Sequence, residues 1–173
     1  MGHSDRPDEL DRIIAIPRIS LQAFCETPDL AHTINEAAAD RRMDKAHVKV
    51  QMGGAPAAVE AYRSAPTPNL IVIETLSDRN DLVANLEALA EFCDSGTRVV
   101  VIGRVNDIIL YRDLMGRGVS EYLVGPVSVI DFIRSIGHLY GHEGAEAIGR
   151  VIAFVGAKGG VGASTICHNV AWS

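Results

Sequence analysis

Positive charge is scarce in this chain: 16 lysines and arginines stand against 22 aspartates and glutamates, for a net charge of -6 and an isoelectric point near 5.4. That removes the cationic footprint by which sequence-general nucleic-acid binders and anionic-lipid binders work, so no nucleic-acid partner is expected. Cysteine is scarce as well. Cys25, Cys93 and Cys167 are odd in number, far apart and free of any C-x-x-C spacing, which excludes a disulfide framework and a zinc site and points to a reducing cytosol. The start, Met1 to Glu9, lacks the basic-then-apolar build of a signal peptide, and Arg6 stands where a myristoylation motif wants Ser or Thr. No apolar run approaches the ~18 residues that span a bilayer. The expectation is a soluble, cytoplasmic chain without direct membrane insertion. Its 173 residues suffice for one proper core plus a fragment.

What is present is a regular alternation of strand-like and helix-like segments. Residues 1–17 read as a flexible N-terminal arm ending at the Pro17 boundary. Ile19 to Cys25 alternates like a strand, and Pro28 opens a helix with Leu30, Ile34, Ala37, Ala38 and Arg41 at helical spacing. A second strand runs from His47 to Met52 and ends at Gly53-Gly54; Ala57 to Ala65 then predicts a short helix stopped by Pro66 and Pro68. Leu70-Ile71-Val72-Ile73 is apolar without alternation, as a central parallel strand covered on both faces must be. Asp78 and Asp81 offer N-caps to a helix carrying Leu82, Leu86 and Leu89, with Gly96 closing it. Arg98 to Ile102 is a further buried strand, Asp107 to Met115 a helix, Glu121 to Val124 a fifth strand, and Ile130, Ile133, Ile136 and Tyr140 mark a last helix. Five strands alternating with five helices predict an α/β fold: a doubly wound, five-stranded parallel sheet of order 2-1-3-4-5, flavodoxin-like. Residues 18–140 are this domain, and the polar stretch 141–149 is a linker.

The five-strand pattern, Glu74 ending the third strand and the run Glu121-Tyr122-Leu123-Val124-Gly125-Pro126 resemble the receiver domain of bacterial response regulators. Receivers accept a phosphoryl group on an Asp at the position of Glu74, and that resemblance implies a degenerate phosphoacceptor pocket here. Its Mg²⁺ pair appears as Cys25 and Glu26, Gly103 or Arg104 takes the place of the switch hydroxyl, and Gly125 stands where a Lys precedes Pro126. Four losses around one pocket argue against phosphoryl transfer, and no metal is assigned to it. Glu74 is expected to be a solvated carboxylate at a strand end, with a built-in mimic of a phosphorylated state as the alternative. Tyr122 falls at the family's switch aromatic and is expected to be a boundary aromatic with a wet phenol. Gly125-Pro126 is a candidate cis peptide. Ile108, Ile109, Leu110, Leu114 and Met115 are too many apolar residues for one face of so short a helix, so either some are exposed at an interface or all are buried at the sheet edge.

The run Val151 to Val155, followed by Gly156-Ala157-Lys158-Gly159-Gly160-Val161-Gly162-Ala163-Ser164-Thr165, reads as a strand entering a glycine-rich phosphate loop and a helix. The backbone N–H groups of Gly159, Gly160 and Gly162 would turn toward an anion, with Ser164 placed to ligate Mg²⁺ and Thr165 beside it. Ala157 replaces the first glycine of the usual phosphate-loop pattern, Ala163 replaces its lysine, and the lysine present, Lys158, comes early. That early lysine resembles the deviant Walker loop of the ParA/MinD superfamily, where it reaches a partner's phosphates across a nucleotide-sandwich dimer. Residues 150–173 therefore look like the truncated start of a P-loop ATPase domain, a β-loop-α fragment expected to be disordered, docked on the first domain or exchanged with another copy.

A degenerate receiver joined to this loop resembles the CpaE/TadZ family of Flp (tight adherence) pilus assembly proteins. The resemblance implies a receiver-like interaction or localisation module, acting through self-association or docking to the pilus secretion machinery, often at a cell pole and peripheral to the inner membrane. It further implies a homodimer, contacts with other assembly proteins including the secretion ATPase, and ATP with Mg²⁺ as ligands of the full-length parent only. No catalytic residue, bound cofactor or ATP hydrolysis is expected of the 173-residue chain itself. The alternatives are a working phosphorelay receiver and a scaffold without any ligand.

Overall fold

In a computed structural model, which describes residues 16–141, five parallel strands form one sheet in the order β2-β1-β3-β4-β5. The strands are β1 (Ser20–Cys25), β2 (His47–Met52), β3 (Leu70–Glu74), β4 (Arg98–Gly103) and β5 (Glu121–Val124). The helices between and after them are α1 (Pro28–Ala38), α2 (Gly54–Tyr62), α3 (Arg79–Ala90), α4 (Ile108–Gly116) and α5 (Val129–Tyr140). Parallel neighbours need crossovers of one hand, and the order expected from the alternation is the one found.

Successive strand residues point to opposite faces, so each strand feeds two cores. On one face Leu21, Ala23, Leu70, Val72, Val100 and Ile102 pack under α1 and α5 through Ile34, Phe132, Ile133 and Ile136. On the other, Phe24, Ile71, Ile73 and Val101 meet α2, α3 and α4 through Leu82, Leu86, Leu89, Leu110 and Leu114. All five residues of β3 are buried, which is why its sequence carries no alternation. Phe24 meets Tyr62 edge-on at 5.7 Å, and the Tyr62 hydroxyl donates to Gln22 Oε1 at 3.0 Å.

Several boundaries differ from the sequence expectation. Helix α2 begins at Gly54 rather than Ala57, because Gly53 turns the chain with φ of 115° and Pro56 is tolerated in a first turn. It ends at Tyr62, ahead of the prolines expected to stop it. Helix α1 ends at Ala38, and Arg41 falls in a separate 3-10 turn, Arg41–Met43, whose N-cap Asp40 accepts from Arg42 N. Ile16, assigned above to a flexible arm, is 1% exposed and its N–H donates to Arg42 O, so the packed domain includes it.

The lower end of the sheet, where strands begin, is tied by Asn69. Its Oδ1 accepts from Ser20 N at 2.8 Å and its carbonyl from the Tyr140 hydroxyl at 2.9 Å. Arg98 lies over the Tyr140 ring at 4.4 Å and donates to Leu139 O, which fixes the end of α5. Both ends of the described chain, near Ile16 and near Tyr140, therefore lie at this lower end. The opposite end carries the loops that build the site.

Candidate functional site

In an open parallel sheet the loops leaving the carboxyl ends of the strands converge on a crevice, and that is where ligands bind in such folds. Glu74, the last residue of β3, sits at its centre and is 6% exposed. One carboxylate oxygen accepts from Glu26 N at 2.7 Å and Thr27 N at 2.8 Å; the other accepts from Thr27 Oγ1 at 2.6 Å. Thr27 is also the N-cap of α1, its Oγ1 accepting from Leu30 N at 3.3 Å. A second link runs the other way, for Glu26 Oε2 accepts from Leu76 N at 2.9 Å in the β3–α3 loop. The two glutamates thus clasp the β1–α1 and β3–α3 loops to each other, with negative charge at the positive end of the α1 dipole.

The expected solvated carboxylate at Glu74 is therefore corrected. The extra methylene relative to Asp carries its carboxylate across to the α1 N-terminus, where three donors take it out of solvent. Cys25, the neighbouring member of the presumed metal pair, is fully buried, and burial first and the Glu74 charge second push its thiol up to about 12. A neutral thiol, a carboxylate with three protein donors and a second carboxylate turned to Leu76 N do not fit Mg²⁺, which wants free oxygens in near-octahedral array.

On the far side of the pocket Tyr122 is buried, at 7% exposure, and its hydroxyl donates to Val105 O at 2.9 Å. The wet phenol expected there is corrected too. Its ring occupies the space left by the missing side chain of Gly103, where a Cβ would stand 2.9 Å from Tyr122 Cζ. Gly103, not Arg104, is thus the residue the switch aromatic contacts; Arg104 is exposed and lines the cleft instead. Gly125 N donates to Gly103 O at 2.7 Å, and the Gly125-Pro126 bond is cis.

Two hydroxyl residues escaped the sequence reading. Thr27 precedes Pro28, the N-cap followed by N1 proline that marks a helix start, so its place was legible. Thr75 was not: it is buried after Glu74, its N–H donating to Ile102 O at 2.9 Å and its Oγ1 accepting from Ser77 N at 3.2 Å. Between the β1–α1, β3–α3, β4–α4 and β5–α5 loops lies an open cleft of about 420 Å³, walled by Leu30, Ile102 and Val127 as well as by Thr27 and Arg104. Helix α4 resolves the question of its surplus apolar residues: Leu110 and Leu114 are buried, while Ile108 and Ile109 are 61% and 62% exposed. No helix among the described residues is long and apolar enough to cross a membrane.

No family model matches the chain, and no curated protein matches it. Solved structures do. The pilus assembly protein CpaE from Caulobacter crescentus is 52% identical over 73% of this chain and 96% of its own, with a TM-score of 0.71. The chain belongs to the CpaE family of pilus assembly proteins. A second structure, a CpaE2 pilus assembly protein from Sinorhizobium meliloti, is 41% identical over 69% of this chain and 98% of its own, with a TM-score of 0.66. The signal receiver domain of the response regulator NarL from Mycobacterium tuberculosis, at 13% identity and a TM-score of 0.53, shares the fold. The CpaE-family domain here is thus receiver-like in topology with the acceptor pocket converted to a clasp. The phosphate-loop residues Lys158, Gly159, Gly160, Gly162, Ser164 and Thr165, and the linker before them, lie outside the described residues.

Proposed function

We propose that the receiver-like domain is a non-phosphorylatable docking module of a pilus assembly protein and catalyses no reaction of its own. The observation that carries this is Glu74. Its two oxygens are held by Glu26 N, Thr27 N and Thr27 Oγ1, so the position that accepts phosphate in receivers works here as a fixed strut between loops. What remains available is surface, and exposed Ile108 and Ile109 on α4 supply apolar contact area for other assembly proteins at the cytoplasmic side of the pilus machinery. Pairing of copies, and ATP with Mg²⁺, belong in this reading to the segment bearing Lys158 and Ser164.

Two measurements test the proposal. The chain incubated with Mg²⁺ and phosphoramidate keeps its intact mass; a phosphoryl adduct on the peptide containing Glu74 would refute it. In a piliated bacterium whose own CpaE-family protein carries the equivalent of Ile108→Asp and Ile109→Asp at unchanged protein level, piliation falls sharply. Normal piliation would remove the docking reading.

A further inference from the structure

Exposed apolar side chains are not scattered over this domain. Among the described residues, Leu76, Val105, Ile108, Ile109, Val124 and Ile130 are 42–62% exposed, and every one lies at the carboxyl end of the sheet. Leu76 and Val105 stand in loops that leave β3 and β4, Val124 closes β5, and the three isoleucines sit in the first turns of α4 and α5. Met52, the last residue of β2, joins them at 47%. Tyr111, one turn along α4 and 37% exposed, is the remaining large apolar residue of comparable exposure among the described residues. A soluble fold that needed this end only for structure would place polar residues in such loops, as it does at the lower end.

The same end is acidic. Glu26, Asp29, Asp78, Asp81, Asp107 and Asp131 occupy its loops and first helical turns, against Arg79, Arg104 and Arg134, the last paired with Asp131 at 3.0 Å. Arg79 is paired with Asp113 at 2.9 Å. Helix capping accounts for Asp78 and Asp107, whose carboxylates accept from backbone N–H groups, and their negative charge still faces solvent around the apolar rim. The cleft walled by Leu30, Ile102 and Val127 opens in the middle of this surface, and its volume of about 420 Å³ has room for an aliphatic side chain. Both ends of the described residues lie at the opposite pole.

We infer that the carboxyl end of the sheet is a docking surface for a cationic polypeptide segment with aliphatic anchors, contributed by another protein and seated over the cleft. It rests on the reading of the domain as a docking module and names its surface and the chemistry of its partner. Charge decides between occupants. An anionic membrane or a nucleic acid is repelled by the acidic rim, and two copies facing each other through it would oppose like charges. A segment combining Lys or Arg with Leu or Ile satisfies both features at once, with steering from the rim and affinity from the buried anchors.

The test uses the ¹⁵N-labelled 173-residue chain titrated with a 14-residue amphipathic Leu/Lys peptide, and with its Leu/Glu and Ser/Lys counterparts. The Leu/Lys peptide is expected to shift amides of the five strand-to-helix loops. Binding should weaken roughly tenfold in Asp29→Lys/Asp81→Lys and roughly tenfold again in Ile108→Ser/Ile109→Ser, with the Leu/Glu and Ser/Lys peptides weaker by a similar factor. Circular dichroism verifies that each variant is folded. Equal binding of the Ser/Lys peptide, or shifts spread over acidic residues such as Glu60 and Glu91 elsewhere, would overturn the inference. So would concentration-dependent shifts at the same loops without peptide, which would make a second copy the occupant. Loss of piliation in the Ile108/Ile109 variant alongside failed peptide binding would remove only the partner's chemistry; normal piliation alongside peptide binding would remove the module reading and leave the surface.

Discussion

Shortening Glu74 by one methylene, Glu74→Asp, restores the residue type a phosphoacceptor needs and should nevertheless damage the protein. The change retracts the carboxylate by about 1.5 Å, the length of one carbon–carbon bond. Contacts now at 2.6, 2.7 and 2.8 Å to Thr27 Oγ1, Glu26 N and Thr27 N then stretch to roughly 4 Å, beyond hydrogen-bond range. Bonds to a charged acceptor contribute about 1.5–3 kcal/mol each, but this site borders an open cleft, and water entering it recovers part of each. A total cost of about 2–4 kcal/mol follows. For a domain of this size, at about 4 °C per kcal/mol, that lowers Tm by roughly 8–16 °C. Urea unfolding gives the free energy, and amide hydrogen exchange gives its location: Glu26, Thr27 and the first turn of α1 should lose protection while the β3–β4 ladder keeps it. Thr27→Val removes one arm of the clasp together with the cap of α1, and a double-mutant cycle of Glu74→Ala with Thr27→Val should return a coupling of about 1–2 kcal/mol. A Glu74→Asp variant within 0.5 kcal/mol of wild type, with Glu26 and Thr27 still protected, would refute the clasp.

Gly103→Ala should be costly for a reason unrelated to backbone freedom: its Cβ would lie 2.9 Å from Tyr122 Cζ and 3.0 Å from Cε2. Displacing the ring breaks the Tyr122 bond to Val105 O and costs about 1–3 kcal/mol by urea unfolding, and combining it with Tyr122→Leu should cost less than the two changes summed. Cys25 gives a pH signature. Its thiol is raised from 9.0 to about 12 in the folded chain, so the folded state holds the proton more tightly than the unfolded state. Stability from this group is complete below pH 9 and declines as pH rises toward 12, by about 2 kcal/mol at about pH 10.5. Comparing urea unfolding of wild type and Cys25→Ala between pH 8 and 10.5 checks it; parallel curves would contradict the shift.

The sheet order and the strand-helix alternation were legible because they rest on local signals: the buried run Leu70 to Ile73, the i, i+4, i+7 leucines of α3 and the Asp78 cap of α3 are each written in a few consecutive residues. Helix ends were less so, since Pro56 reads as a break in one dimension and as an ordinary first-turn residue once Gly53 has turned the chain. The site was legible as a list of substitutions and illegible as an arrangement. That Glu74 reaches the α1 N-terminus depends on a partner 47 residues away, and that Gly103 exists to admit Tyr122 depends on β4 and β5 being neighbours. Neither contact leaves a periodic trace.

Those two long-range contacts also explain how these side chains fit an intact fold. Carboxylates crowded at one strand end repel each other, and here that repulsion is relieved: Cys25 between them is a neutral thiol, while Glu26 and Glu74 each turn to backbone donors of the opposite loop. Tyr122, anchored to Val105 O, holds the start of the β4–α4 loop from the other side. Val105, Ile108 and Ile109 follow from that anchor within a single turn, so the Tyr122 bond positions the start of this exposed apolar stretch. On the docking reading proposed above, a face positioned in this way suits a module rather than a switch, because a switch works only if its two states lie within a few kcal/mol of each other.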